Sequence, residues 1–175
     1  MKWYERFFEG MAMEFWKAAV PEDSTRTEVA FLKEALELRP GATVLDAPCG
    51  FGRHALALAA EGFRVRGFDI APACIEEVNR LAAASKLSVE AVLADLASAP
   101  LGGPYDGAYC LGNSFGYFDP DDTRGFCERV AGSLRPGARF VVHTAMAAES
   151  FLPEFREREW IAAAGFTCLL ECGYD

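Results

Sequence analysis

The chain has 175 residues, about half of them apolar, and a formal net charge of −9. That length builds one domain with a sizeable core rather than two. No stretch of roughly eighteen residues lacks charges, which excludes a membrane span, and an acidic chain without a lysine- and arginine-rich run disfavours nucleic acid as substrate.

The N-terminus, MKWYERFFEG, mixes charges with aromatics and reads as no secretory signal. The six cysteines, Cys49, Cys74, Cys110, Cys127, Cys168 and Cys172, form no CxxC pair. They point to reduced thiols in a cytoplasmic protein, with neither a disulfide framework nor a metal site. Trp3, Phe7 and Phe8 fall at helical spacing, as do Phe8, Ala12 and Phe15, and Pro21 ends that segment. Thr25 with Glu28 forms a capping-box pattern that opens a helix to about Leu38. Val29, Leu32 and Leu36 give it a buried stripe, and Arg39-Pro40-Gly41 stops it. Residues 1–40 are thus expected to form a helical segment ahead of an α/β domain over 41–175.

From there strands and helices alternate. Thr43–Ala47 reads as a buried strand, Arg53–Glu61 as an alanine-rich helix ending at Gly62, and Arg64–Phe68 as a second strand. Pro72 suits the first turn of a helix to about Ser85, with Ile75, Val78 and Ala82 inward. Ser88–Leu93 and Tyr105–Cys110 are the third and fourth strands. Asp119-Pro120 caps a helix carrying Phe126, Val130 and Leu134, and the Arg135-Pro136-Gly137 turn leads to a fifth strand, Arg139–Thr144. Such alternation implies βαβ units in a doubly wound, mainly parallel sheet. Ligands bind such a sheet at the carboxyl ends of its strands, where strand order reverses.

The first strand turns into the first helix through Asp46-Ala47-Pro48-Cys49-Gly50-Phe51-Gly52-Arg53-His54. Gly50 and Gly52 let backbone approach a ligand that a Cβ would obstruct. A dinucleotide loop spaces its glycines GxGxxG to seat a pyrophosphate on the helix N-terminus. Here position 55 is Ala, and Asp46 ahead of the loop repels a pyrophosphate but suits a cation. The ligand expected is therefore positively charged and lacks phosphate.

At this loop the sequence resembles the class I S-adenosylmethionine-dependent methyltransferases, whose first motif reads VLDxGCGxGRxAxxLA. The matching VLDAPCGFGRHALALA has Pro48 where glycine is usual. The resemblance implies a Rossmann-like methyltransferase fold of the bacterial small-molecule type, with S-adenosylmethionine as cofactor. It implies cofactor contacts from Asp46, Ala47, Cys49, Gly50 and Gly52. Asp69 lies nineteen positions beyond Gly50; its carboxylate suits a ribose diol, though an N-cap role for the helix near Pro72 is the alternative. Asp95 and Leu96 match positions near the adenine amino group, and Ile70 is expected to pack on the adenine ring. Leu111, just ahead of the GNSFGYF run, and Asn113 within it are expected to line the methyl-transfer site. Phe115 and Tyr117 either face the sulfonium or close the core beneath the loop.

The reaction implied is direct methyl transfer to a small-molecule nucleophile. Asn113, His54 and Tyr117 are the candidate catalytic side chains, although a residue at a helix start, as His54 is, mostly packs or caps. His143, inside an apolar strand, is expected to be a hydrogen-bonded core residue. The N-terminal segment forms either a lid, with Tyr4, Phe8, Trp16 and Arg26 to consider, or an amphipathic helix packed on the sheet. Two rivals stand beside this reading: a nicotinamide-dependent oxidoreductase on a similar fold, and a cofactor-binding protein without turnover. The likeness covers residues 25–145 and thins beyond. The tail over 154–175 reads either as a helix with a sixth strand or as the start of an inserted substrate-covering sheet. The family's last strands are missing on either reading, so a truncated chain or a homodimer covering the gap is expected.

Overall fold

The computed structural model describes residues 4–8, 10–144 and 147–173; Trp3 of the expected aromatic stripe lies outside them. Three helices come first: α1 (Tyr4–Phe7), α2 (Gly10–Ala19) and α3 (Glu22–Ala35). The capping-box expectation at Thr25 and Glu28 is corrected, since α3 already begins after Pro21, whose carbonyl accepts from the Ser24 N–H at 3.1 Å. Thr25 and Glu28 instead turn their side chains toward Arg53. The helix also stops before Leu38. Glu37 takes a left-handed φ of 52°, and the Leu38 N–H closes onto the Lys33 carbonyl at 3.0 Å, a Schellman-type ending.

The alternating region follows as β1 (Thr43–Asp46), α4 (Arg53–Ala60), β2 (Arg64–Asp69), α5 (Pro72–Ser85), β3 (Val89–Leu93), β4 (Tyr105–Cys110), α6 (Pro120–Ser133) and β5 (Leu134–Val142). These five strands pair in parallel in the order β3-β2-β1-β4-β5. The doubly wound Rossmann-like sheet is thus present, with its order reversing between β1 and β4. Successive β1 residues point to opposite faces. Val44 joins Leu32, Leu36 and Leu58 on one side, and Leu45 joins Phe68, Phe126 and Val130 on the other.

Two boundaries near β5 differ from expectation. Leu134 pairs with Tyr105 and Arg139 with Gly107, so the strand starts at Leu134 and Arg135-Pro136-Gly137 bulges from the ladder. Gly137, at φ 82°, makes that bulge possible. His143 is corrected too: its N–H bonds the Cys110 carbonyl at 3.0 Å, but its side chain is exposed. β5 is an edge strand of the sheet.

The tail resolves in favour of a separate sheet. After α7 (Ala148–Phe151) and a 3-10 turn at Leu152–Glu154, β6 (Arg158–Ala163) and β7 (Phe166–Glu171) form an antiparallel hairpin apart from the main sheet. The helix-plus-sixth-strand alternative fails because Ala164 and Gly165 both have positive φ, 51° and 77°. A two-residue turn of that hand sends the chain back along itself. β6 lies against α2, while the cross-strand partners Trp160 and Leu169 are exposed at 68% and 46%. Among the described residues no helix is long and apolar enough to cross a membrane.

Gly52 sits at φ 74°, and a Cβ added there would lie 2.6 Å from Val78 Cγ2 in α5. Left-handed backbone costs a non-glycine residue roughly 1–2 kcal/mol, and overpacking adds about 1–3 kcal/mol. Gly52→Ala is therefore expected to lower the unfolding free energy by ~2–5 kcal/mol in urea denaturation. The Gly52→Ala/Val78→Ala pair should lose less than the sum of its two single changes. Strict additivity would mean that α5 does not press on this turn.

Candidate functional site

The carboxyl ends of β1 to β4 open into one cavity at the point where strand order reverses. Loop residues from each strand line it: Cys49 and Gly50 after β1, Asp69 and Ile70 at the end of β2, Asp95 and Leu96 after β3, Leu111 after β4. Seven of the ten residues expected to touch an adenosyl ligand thus share a single cavity.

Asp69 is the best fixed of them. Its Oδ2 accepts the Gly50 N–H at 2.7 Å and its Oδ1 accepts the Ala71 N–H at 2.9 Å. Burial raises its pKa, and the backbone donors oppose that. Each carboxylate oxygen keeps a lone pair free for a hydroxyl donor from the cavity. Asp95 is turned by its own backbone, with Oδ1 accepting the Ala97 N–H at 2.8 Å. Leu96 is buried, and its carbonyl accepts from Arg129 Nη2 at 2.6 Å.

The other three expected contacts are corrected. Asp46 is 1% exposed and is not part of the cavity wall. It accepts the Tyr109 hydroxyl at 2.9 Å, and burial holds its carboxyl well above the ordinary carboxylate range against the pull of that bond. Ala47 belongs to the core with Leu45. Gly52 packs on Val78, so its missing Cβ serves the α4–α5 contact and not a ligand. Gly50 is different: at φ 50°, an added Cβ there would have nothing within 4 Å. Pro48 orphans nothing, because the hydrogen bonds of this turn come from Ala47, Cys49, Gly50 and Gly52.

Beyond β4, Gly112, Ser114, Phe115, Gly116 and Tyr117 line the cavity and Asn113 does not. Asn113 takes a left-handed φ of 64° and turns its Oδ1 to the Thr144 hydroxyl at 3.5 Å, which corrects its candidacy. Tyr117 lines the wall and stacks on Phe8 with centroids 6.2 Å apart; burial pushes its phenol up. Tyr4, at the wall with Phe8, meets Phe118 edge-on at 5.5 Å. Trp16 lies against Phe15 away from the wall, and Arg26 pairs with Asp23 on the surface, so neither belongs to the site.

Sulfur lines much of the remainder. Cys49, Cys74, Cys110 and Met13 all face the cavity, with Cys74 Sγ 3.4 Å from Met13 Sδ. All six cysteines are free thiols. Burial raises Cys74 to about 11 and Cys110 to about 12, and lifts Cys49 well above its usual value.

At the start of α4, Arg53 and His54 converge on Glu28 of α3. Arg53 Nη1 donates to Glu28 Oε2 and to Thr25 Oγ1, the latter at 3.0 Å. His54 Nε2 meets the same Oε2 at 2.8 Å. Burial, and next the Arg53 charge, lower the imidazole to about 4 despite Glu28. Its Nε2 is engaged by Glu28, and burial makes it a weaker base than an ordinary imidazole. Nothing in the sequence marks Met13, Cys74, Thr123 or Phe126 as wall residues; only the fold brings them there.

The sequence matches the methyltransferase-domain family over residues 44–137, just over half of the chain. It is 28% identical over 154 residues to glycine N-methyltransferase from Rattus norvegicus, covering 79% of this chain and 53% of that protein. A shorter stretch of 56 residues is 44% identical to an uncharacterised RNA methyltransferase from Enterococcus faecalis, 31% of this chain and 12% of the relative. The chain thus spans about half the length of the glycine N-methyltransferase it matches. Its fold is similar to that of an S-adenosylmethionine-dependent methyltransferase from Clostridium acetobutylicum, with a TM-score of 0.66 and 16% identity over 83% of this chain and 59% of that one. Nothing in these likenesses supports the nicotinamide rival.

The unfolded chain protonates a histidine near 6.5, whereas folded His54 resists a proton down to about 4. Stability contributed by the neutral ring is therefore lost as pH falls between those values. At ~1.4 kcal/mol per pH unit, moving from pH 7 to pH 5 costs on the order of 2 kcal/mol. His54→Gln, which keeps a donor for Glu28, should gain about that much on wild type between the two pH values in urea denaturation. A constant difference would mean that His54 is charged in the folded protein.

Proposed function

Because the chain belongs to the methyltransferase-domain family, we propose that it transfers a methyl group from S-adenosylmethionine to a small-molecule nucleophile. The observation that carries this is the cavity at the β1–β4 reversal, walled by Gly50, Asp69 and Asp95. Asp69 accepts the ribose hydroxyls, Ile70 packs on the adenine, and Asp95 with the Leu96 backbone reads its edge. Gly50, with open space where a Cβ would be, admits the ligand against the β1 loop.

Bound S-adenosylmethionine supplies a methyl group already activated on sulfonium. The chain's own work is alignment and exclusion of water, which supplies roughly 7–11 kcal/mol of barrier lowering without a covalent residue. Tyr4 and Phe8 close the cavity from the N-terminal side against Tyr117 and Phe118, so this segment acts as a lid. Aromatic faces beside a desolvated cation contribute up to ~2 kcal/mol. The acceptor is a small molecule: among the described residues Arg53 is the one Lys or Arg lining the cavity, so no basic track exists there for a phosphate backbone.

Calorimetric titration should show binding of S-adenosylhomocysteine and none of NAD. Asp69→Ala should weaken S-adenosylhomocysteine by about 1.5–3 kcal/mol, the worth of hydrogen bonds to a charged group. Mass spectrometry of a panel of small amine, hydroxyl and thiol acceptors then reads methyl transfer. Binding of NAD, or an Asp69→Ala dissociation constant equal to wild type, would overturn the assignment.

A further inference from the structure

One face of α2 is tied to two elements that wall the cavity. Met13 and Lys17 are an i, i+4 pair, so both project from the same side of that helix. Met13 lines the cavity, with its Sδ 3.4 Å from Cys74 Sγ in the first turn of α5. One turn further along, Lys17 Nζ donates to both carboxylate oxygens of Glu77 in α5, each at 2.6 Å. The same ammonium lies 6.0 Å from the ring centroid of Phe51, a wall residue of the β1 loop.

These contacts differ in kind. The sulfur contact is soft and adaptable, whereas the ion pair is directional and only part-shielded, its two side chains 36% and 25% exposed. A pair that water still reaches opens and re-forms at modest cost; a fully buried pair would not. α2 joins α3 through Val20 and Pro21 alone, and the proline has no N–H to carry helical bonding across that joint. A short helix with a joint at one end and a reversible tie over the wall has the parts of a latched flap.

We propose that the Lys17–Glu77 ion pair is the latch of this flap: it breaks when α2 lifts from α5, and the cavity then opens to solvent. The latch governs access to the cavity and goes beyond the identity of what the cavity holds. Cys49, Cys74 and Cys110 line the cavity and are buried, so N-ethylmaleimide reaches them only through an opening. Half-buried Cys127 and Cys168 lie outside it and serve as internal references. Labelling rates are read site by site with mass spectrometry, as ratios to wild type because burial keeps the cavity thiols protonated. They should rise about three- to tenfold at the cavity thiols in both Lys17→Met and Glu77→Gln. The references should keep their wild-type rates, and the swapped pair Lys17→Glu/Glu77→Lys should return the cavity thiols toward wild type. Leu32→Ala, which weakens the core behind β1, should lower the urea midpoint without that selective rise.

Local electrostatics alone would give another pattern. Burial raises the Cys74 pKa most, Glu77 adds to the rise and Lys17 opposes it. Without an opening, Lys17→Met would therefore slow Cys74 and Glu77→Gln would speed it. Such opposite signs overturn the latch, as do unchanged rates at all three thiols. An equal rise in Leu32→Ala overturns it too, since exposure would then come from global unfolding. Saturating S-adenosylhomocysteine should slow the three thiols further in wild type. Absence of that protection counts against the cofactor reading alone, because the variant ratios are measured without ligand.

Discussion

A single carboxylate fastens the ends of two neighbouring strands. Asp69, at the tip of β2, accepts one backbone N–H from the β1 loop and another from the entry to α5. Two turns that would otherwise move independently are fixed to one side chain, and Gly50 is held open toward the cavity. Those donors offset part of the cost of burying Asp69. Shape and chemistry of the cavity floor therefore have a common origin.

That arrangement explains why the acidic residues of the region behave differently. Asp46 and Asp69 end adjacent paired strands. Asp46 points into the core, where Tyr109 is its hydrogen-bond donor, whereas Asp69 lies at the cavity. A carboxyl without backbone donors in an apolar interior favours the neutral form. The motif's first acid thus lies in the core, and its second faces the cavity.

Most of the fold was legible in the sequence because period and punctuation agree there. Buried strands such as TVLD, the Pro72 helix start and the glycine turn after β1 each carry local signals that tertiary packing does not override. The position of Asp69 followed from its place at a strand end, whereas Ile70, Asp95 and Leu96 came from the family resemblance and not from local pattern. Other features depend on contacts distant in sequence. Thr25 and Glu28 imitate a capping box, yet their partner is Arg53. Gly52 satisfies a ligand-loop pattern, yet the atom nearest its absent Cβ belongs to Val78. Asn113 was misplaced for a conformational reason, since its left-handed turn directs it to Thr144. The tail was ambiguous until the paired positive φ values at Ala164-Gly165 committed it to a hairpin.

The sulfur-lined wall has a consequence of another kind. Attack on oxidants and electrophiles proceeds through the thiolate, and Cys49, Cys74 and Cys110 are all pushed toward the protonated form. These positions therefore offer a soft, polarisable surface with almost no nucleophilic character. On the proposed reading, a compartment that holds an alkylating reagent gains from such a lining, because protonated thiols are the weaker nucleophiles.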